Sequence, residues 1–124
     1  MGKSLLIVDD SATMRKIIMR SVRMSGIQFD TTEEAGNGVE GLEKLAKAPV
    51  DVILCDVNMP EMNGDEMVKK VREMDSCKHT KIVMVSTESA QDFIDNLLAC
   101  GADDYITKPF TPDKFNEKLT PLLS

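Results

Sequence analysis

The sequence predicts an α/β fold in which a single five-stranded parallel sheet is doubly wound, with helices on both faces. Short apolar runs alternate strictly with segments whose apolar residues have helical spacing, and this strand–helix unit occurs five times. The runs expected in the centre of the sheet are almost entirely apolar, which is typical of parallel strands buried on both faces. A length of 124 residues suits one compact domain, so we expect residues 1–124 to form a single domain.

The first part of the chain supplies two strands and two helices. Residues 3–8 form a short apolar run that ends at Asp9 and Asp10, and this run predicts the first strand. The helix that follows is expected to stop at Gly26. Residues 27–35 alternate apolar and polar side chains, which predicts a half-exposed strand at an edge of the sheet. A second helix comes next and ends before a proline.

Three further strands are predicted in the rest of the chain, and each ends beside a polar side chain. They are residues 50–55 before Asp56, residues 81–85 before Ser86 and residues 104–107 before Lys108. A helix is predicted after each strand. The last of these helices has Pro112 at its first position, where proline is well tolerated.

Polar residues thus follow four strands of a parallel sheet, and ligands bind at the carboxyl ends of such strands. We therefore expect a cluster of five residues there, namely Asp9, Asp10, Asp56, Ser86 and Lys108. Crowded carboxylates raise one another's pKa unless a cation intervenes, and Mg²⁺ prefers oxygen ligands of this kind. A lysine and a hydroxyl suit phosphoryl oxygens, and an aspartate can be the nucleophile. Each residue alone has an ordinary explanation as a cap or turn residue, so the prediction depends on the joint match.

Composition excludes several classes of function. The net charge of −6 disfavours binding to nucleic acid or to an anionic membrane surface. No apolar run reaches about 18 residues, and the first run is too short for a signal peptide, so we expect a cytoplasmic protein. The three cysteines form no CxxC pair, which favours free thiols in a reducing compartment over a zinc site or disulfides.

The sequence resembles the bacterial response-regulator receiver family over essentially its whole length. Four motifs carry the resemblance, and together they are highly specific. They are Ile7-Val8-Asp9-Asp10-Ser11, Asp56-Val57-Asn58-Met59-Pro60-Glu61-Met62-Asn63-Gly64, Val85-Ser86-Thr87 and Lys108-Pro109-Phe110. The resemblance implies a flavodoxin-like fold with strand order 2-1-3-4-5. It also implies that Asp56 accepts a phosphoryl group from a phosphohistidine of a sensor histidine kinase.

The resemblance further implies a role for each residue of the cluster. Asp10, Asp56 and the backbone carbonyl of Asn58 would bind Mg²⁺ directly, and Asp9 would act mostly through water. Lys108 and Ser86 would hold phosphoryl oxygens, and Lys108-Pro109 would be a cis peptide. Ser86 and Tyr105 would act as a switch that changes a partner-binding surface over residues 90–122.

Within the family, the chain is similar to the single-domain regulators of chemotaxis. This similarity rests on residues 9–15, Asn58, Glu88 and Tyr105. Asn58, Thr87 and Glu88 are expected to tune the lifetime of the phosphoryl group. The implied partners are a chemotaxis-type histidine kinase, a flagellar motor switch protein and a phosphatase. We expect a monomeric signalling protein without an output domain, which catalyses only its own phosphorylation and dephosphorylation.

Four alternatives remain open at this point. The chain could be an intermediate in a phosphorelay outside chemotaxis. A Mg²⁺-dependent aspartyl-phosphate phosphatase needs a second aspartate two residues after the nucleophile, where Asn58 stands. An FMN carrier needs a phosphate loop rich in glycine and hydroxyls after the first strand, where two aspartates stand instead. A phosphate-independent scaffold should lack at least one of the five cluster residues.

Overall fold

The computed structural model describes residues 3–57, 59 and 62–123, which form five strands and five α-helices in alternation. The strands are β1 (Ser4–Val8), β2 (Thr31–Ala35), β3 (Val52–Cys55), β4 (Lys81–Ser86) and β5 (Asp104–Thr107). The helices are α1 (Ala12–Met24), α2 (Gly38–Lys47), α3 (Gly64–Glu73), α4 (Gln91–Cys100) and α5 (Pro112–Leu123), with a short 3₁₀ helix at Asp75–Cys77. Within these ranges, no helix is long and apolar enough to cross a membrane.

All neighbouring strands are parallel, and the sheet has the order β2-β1-β3-β4-β5. Successive side chains of a strand point to opposite faces, so Leu5 and Ile7 join one buried cluster and Leu6 and Val8 join the other. The first cluster packs under α1 and α5, and the second packs under α2, α3 and α4. The predicted fold class and strand order are therefore confirmed.

Side-chain caps fix where two helices begin at the carboxyl edge of the sheet. The Ser11 hydroxyl accepts a hydrogen bond from the Met14 N–H at 3.1 Å, so α1 begins directly after the two aspartates that follow β1. In the same way, the side-chain amide oxygen Oδ1 of Asn37 accepts from the Glu40 N–H at 2.8 Å at the start of α2. These caps keep the loops short, which holds their polar residues close to the strand ends.

The edge strand β2 is shorter than the sequence pattern predicts. It begins at Thr31 and not at residue 27, because its partner β1 begins at Ser4, which is paired with Thr31. The earlier apolar residues Ile27 and Phe29 pack against the core beneath α1 and α5. Their alternation therefore reflects burial of a connecting segment, whereas the predicted edge position of the strand is correct.

Candidate functional site

The polar residues that follow four separate strands meet at the carboxyl edge of the sheet. Asp9 follows β1, Asp56 follows β3, Ser86 ends β4 and Lys108 follows β5. Asp9, Asp10 and Asp56 each offer a carboxylate oxygen, and these oxygens lie within 4.8 Å of one another. The convergence predicted from the strand pattern is therefore present in the structure.

This cluster carries more negative than positive charge. The Lys108 Nζ lies 3.4 Å from Asp9 Oδ2 and 3.8 Å from Asp56 Oδ1. The side chains of Asp9 and Asp56 are only 2% and 12% exposed, whereas Asp10 is exposed. Burial raises the pKa of Asp56 above its ordinary value of 3.8, and the neighbouring carboxylates of Asp9 and Asp10 add to this effect, while Lys108 opposes it. One ammonium group therefore does not balance the carboxylates around it.

Local backbone groups hold the two buried carboxylates in place. Asp9 Oδ1 accepts a hydrogen bond from the Ser11 N–H at 2.9 Å, and Asp56 Oδ1 accepts from the Val57 N–H at 2.8 Å. Both donors lie within two residues of the carboxylate that they bind. Each strand end thus orients its own acid, so the cluster needs few long-range contacts to keep its shape.

The donor set fits a hard divalent cation such as Mg²⁺. Three carboxylates supply oxygen atoms at close range, and Mg²⁺ binds in proteins through a few carboxylates and retained waters. A cation there would also offset the charge excess that raises the pKa of Asp56. Asn58, whose backbone carbonyl is predicted to bind the metal directly, lies outside the described residues, so that part of the ligand set stays a prediction.

One arginine contacts this cluster although the sequence reasoning did not single it out. The Arg15 Nη1 donates to the backbone carbonyl of Asp9 at 2.6 Å, and its Nε pairs with Glu34 Oε1 at 2.9 Å. A signal was present in the sequence, because Arg15 is the last residue of the 9–15 segment that carries the similarity to the single-domain regulators.

The predicted switch residues Ser86 and Tyr105 lie together, and both contact Glu88. Ser86 is 1% exposed, and its hydroxyl accepts from the Glu88 N–H at 3.4 Å. The Tyr105 hydroxyl donates to the Glu88 carbonyl, and the side chain as a whole is buried. Burial also raises the pKa of the Tyr105 hydroxyl. The Tyr105 side chain thus lies inward in this structure, where its hydroxyl finds a backbone acceptor.

The residues expected to tune the phosphoryl lifetime differ in their contacts. The Glu88 carboxylate accepts from the Ser89 and Ala90 N–H groups, each at 3.0 Å, at the start of α4. Thr87 is exposed and borders a groove of about 370 Å³ beside Lys108. The peptide bond from Lys108 to Pro109 is cis, as the resemblance implies. The effect of these residues on lifetime stays a prediction.

Comparisons with known proteins identify the family and support the fold. The model of the response regulator receiver domain matches residues 5–120. The chain is 45% identical over 120 residues to chemotaxis protein CheY1 of Helicobacter pylori, which covers 96% of this chain and 95% of that protein. It resembles the structure of Vibrio cholerae CheY4 with a TM-score of 0.87 at 36% identity, covering 98% and 99% of the two chains. A Borrelia burgdorferi CheX–CheY–BeF₃–Mg²⁺ complex gives a TM-score of 0.85 at 25% identity, covering 98% and 90%. This chain therefore belongs to the response regulator receiver domain family.

Proposed function

We propose that this protein is a phosphorylation-activated switch of chemotaxis signalling, with Asp56 as the phosphoryl acceptor. The observation that carries the proposal is the meeting of Asp9, Asp10, Asp56 and Lys108 at one edge of the sheet. Proteins of this family are signalling proteins and not classical enzymes. The chemistry that we assign to this chain is restricted to its own phosphorylation and dephosphorylation.

In the proposed transfer, an Asp56 carboxylate oxygen attacks the phosphorus of a phosphohistidine. The new P–O bond forms as the P–N bond breaks, and the electron pair of that bond stays on the imidazole of the kinase. Lys108, which is 3.8 Å from Asp56, neutralises charge on the transferring group. Asp10 and Asp56, with Asp9 nearby, would hold Mg²⁺, which would supply further charge stabilisation. The attacking carboxylate is oriented by its bond to the Val57 N–H.

The proposed partners follow from the family and from its named relatives. Receiver domains of this type interact with histidine kinases, and several relatives that match over nearly their whole length are chemotaxis proteins. We infer a chemotaxis-type sensor kinase as donor, a flagellar motor switch protein as target and a separate phosphatase. The Borrelia burgdorferi complex contains CheX, which is an example of a second partner for a relative. Free thiols suit the reducing cytoplasm in which we expect these partners to meet.

We propose that the signal leaves the site through Ser86 and the loop that follows it. A phosphoryl group on Asp56 adds roughly −1.5 to −2 charge and strong acceptor oxygens, which attract the Ser86 hydroxyl. The same hydroxyl accepts a hydrogen bond from the Glu88 N–H, and the Glu88 backbone carbonyl accepts one from the Tyr105 hydroxyl. Movement of Ser86 therefore changes the contacts of Tyr105 and of the start of α4. The affected surface is the one formed by α4, β5 and α5.

The acceptor is tested with Asp56→Asn, because an amide is not a nucleophile. Acetyl phosphate and Mg²⁺ should add one phosphoryl group to the parent protein, detected by intact mass, and none to the variant. Asp113→Asn is the matched control, since Asp113 is an exposed acid in the first turn of α5. Equal labelling of Asp56→Asn and the parent would remove Asp56 from the mechanism.

The switch is tested by amide NMR of the parent protein with and without beryllofluoride and Mg²⁺. We expect shifts at the site and also across residues 90–122, because Glu88 and Tyr105 connect Ser86 to that surface. Tyr105→Phe, which lacks the hydroxyl that binds the Glu88 carbonyl, should reduce the distant shifts and leave those near Asp56. Shifts confined to the phosphoryl site in the parent would rule out this route.

A further inference from the structure

Arg15 connects three elements around the metal cluster. It belongs to α1, its Nη1 donates to the carbonyl of Asp9 at the end of β1, and its Nε pairs with Glu34 on β2. Its side chain is 18% exposed, so these bonds are partly shielded from water. The contact with Asp9 is a charge-assisted hydrogen bond, which is stronger than one between neutral groups.

The position of this hydrogen bond matters because of which peptide it binds. The Asp9 carbonyl belongs to the peptide unit that joins Asp9 to Asp10, and this unit is planar. Fixing this carbonyl therefore fixes the orientation of the peptide plane that ends at the Asp10 Cα, which carries the side chain. Two other bonds hold the same turn, since the Asp9 N–H donates to the Ala35 carbonyl at 3.1 Å and the Ser11 N–H donates to Asp9 Oδ1 at 2.9 Å.

Of the bonds that hold this turn, the one from Arg15 acts on the carbonyl between the two acids. The Ser11 N–H orients the Asp9 carboxylate, and the Asp9 N–H anchors the turn to the end of β2. Asp10 is exposed, so packing of its own side chain does little to restrict it. Its direction thus depends on the backbone that Arg15 holds.

We propose that Arg15 is a positioning residue for the metal site: by binding the Asp9 carbonyl and Glu34 together, it aims the Asp10 carboxylate at the cation. This inference rests on the proposed function, because it assumes that the acid cluster binds Mg²⁺. Arg15 itself does not touch the metal. Partners of this kind, one step away from the ligands, typically change metal affinity by about 10-fold to 100-fold when they are removed.

A simple charge effect makes the opposite prediction for the same residue. Arg15 is a cation close to a site for another cation, so Coulomb repulsion alone would make its removal strengthen Mg²⁺ binding. Positioning predicts that removal weakens binding. The sign of the change in Mg²⁺ affinity therefore distinguishes positioning from charge repulsion. Arg15→Lys distinguishes them again, because it keeps the charge without the two-point bridge.

The test measures Mg²⁺ affinity by calorimetric titration of the parent, Arg15→Met and Arg15→Lys. We expect both variants to bind about 10-fold more weakly than the parent. Amide NMR spectra without metal provide a second readout, in which the Asp10 and Ser11 signals should shift in both variants. Thermal melts identify any loss of folding, and Arg15→Lys keeps the test informative if Arg15→Met is unstable.

Arg72 offers a matched control at the opposite end of the sheet. Its guanidinium also binds backbone carbonyls and one carboxylate, those of Gly101, Thr80 and Asp103, so Arg72→Met loses comparable bonds. We expect its Mg²⁺ affinity to stay within about twofold of the parent, since none of these groups belongs to the acid cluster. Unchanged or tighter binding by the Arg15 variants, or an equal loss in Arg72→Met, overturns the positioning role. If the parent itself binds no Mg²⁺, the metal part of the proposed function fails as well.

Discussion

At the amino end of the sheet Arg72 and Asp103 are paired closely, whereas at the carboxyl end the three carboxylates of the acid cluster share one lysine among the described residues. At the amino end, the three guanidinium nitrogens of Arg72 bind the Gly101 carbonyl at 2.9 Å, the Thr80 carbonyl at 2.8 Å and Asp103 Oδ2 at 2.8 Å. The same Asp103 oxygen also accepts from the Ile82 N–H at 2.8 Å. This network joins α3, α4 and β4 without leaving an excess of charge.

The contrast shows where the fold gives up stability for function. At the carboxyl end, Lys108 lies farther from its two partners than Arg72 lies from Asp103, and the pKa of Asp56 is raised mainly by burial. Close charge pairing holds for Arg72 and Asp103 and is missing within the acid cluster, and such violations of local rules are expected at functional sites. This imbalance of charge supports the proposal that the acid cluster binds a cation and accepts a phosphoryl group.

The largest effect is expected from Gly64→Ala, which tests how tightly the carboxyl end is packed. An added Cβ would lie 2.4 Å from the Asp56 carbonyl oxygen and 2.9 Å from the Val57 Cα. Both are backbone atoms of the segment that carries the acceptor, so relief requires the strand end to move. We expect a loss of about 3 kcal/mol in the free energy of unfolding, measured with urea. Gly36→Ala is the control, because its nearest neighbour is a flexible side chain at 3.5 Å and its cost should be below about 0.5 kcal/mol.

Much of this site could be predicted from the sequence because its residues directly follow predicted strands. Asp56, Ser86 and Lys108 each come at the end of an apolar run, and the parallel topology brings such ends together. This reasoning needs only the period of the pattern and the direction of the strands. It requires no knowledge of individual side-chain contacts, which is why it succeeded for the fold and the cluster.

The features that escaped prediction depend on contacts between distant segments. Arg15 and Glu34 are 19 positions apart, and the Tyr105 hydroxyl meets a carbonyl 17 positions away. The start of β2 is set by the length of β1 and not by its own alternation. The 3₁₀ helix at Asp75–Cys77 was also missed, since it is too short to show a period.

Removing one carboxylate at each end of the sheet should change the free energy of unfolding by a smaller amount, with opposite signs at the two ends. Asp56→Asn should stabilise the metal-free protein at neutral pH by roughly 1 kcal/mol or less, because it removes a charge that burial and neighbouring acids disfavour. Asp103→Asn should destabilise it by about 1 kcal/mol, because Arg72 loses its charged partner. Thermal unfolding in the presence of a chelator measures both, and equal signs would contradict the contrast between the ends.

The pH dependence of the free energy of unfolding sharpens the prediction for Asp56→Asn. The folded-state pKa of Asp56 lies above 3.8, so the folded chain holds the proton more tightly than the unfolded chain does. The stabilisation from that proton is complete below about pH 3.8 and is lost as the pH rises through the folded-state value. The advantage of Asp56→Asn should therefore shrink as the pH falls towards 3.8. An advantage that grows in acid would mean that Asp56 is stabilised as the anion.

The smallest effect concerns the reactivity of the cysteine thiols, which reports local opening at each end of the sheet. Burial raises the pKa of Cys55 strongly, and the charges of Asp56 and Asp9 add to the shift, so this thiol should be inert in the folded protein. Cys77 is also buried, whereas Cys100 is partly exposed. With a thiol reagent, we expect Cys100 to react at least about 10-fold faster than either buried cysteine. Beryllofluoride with Mg²⁺ should slow Cys55 further and leave Cys77 unchanged, and the reverse pattern would contradict the assignment of the site.

The distance along the chain between the parts of the site has a consequence for protein synthesis. Asp9 and Lys108 contact each other although they are 99 positions apart, and the lysine comes after the last strand. During translation the aspartates of β1 and β3 leave the ribosome well before β5 and its lysine, because the chain emerges from its amino terminus. Under the proposed function, a nascent chain would carry the acceptor Asp56 without the ammonium group that would stabilise transfer. It would become a substrate for a kinase only when nearly all of the sheet exists.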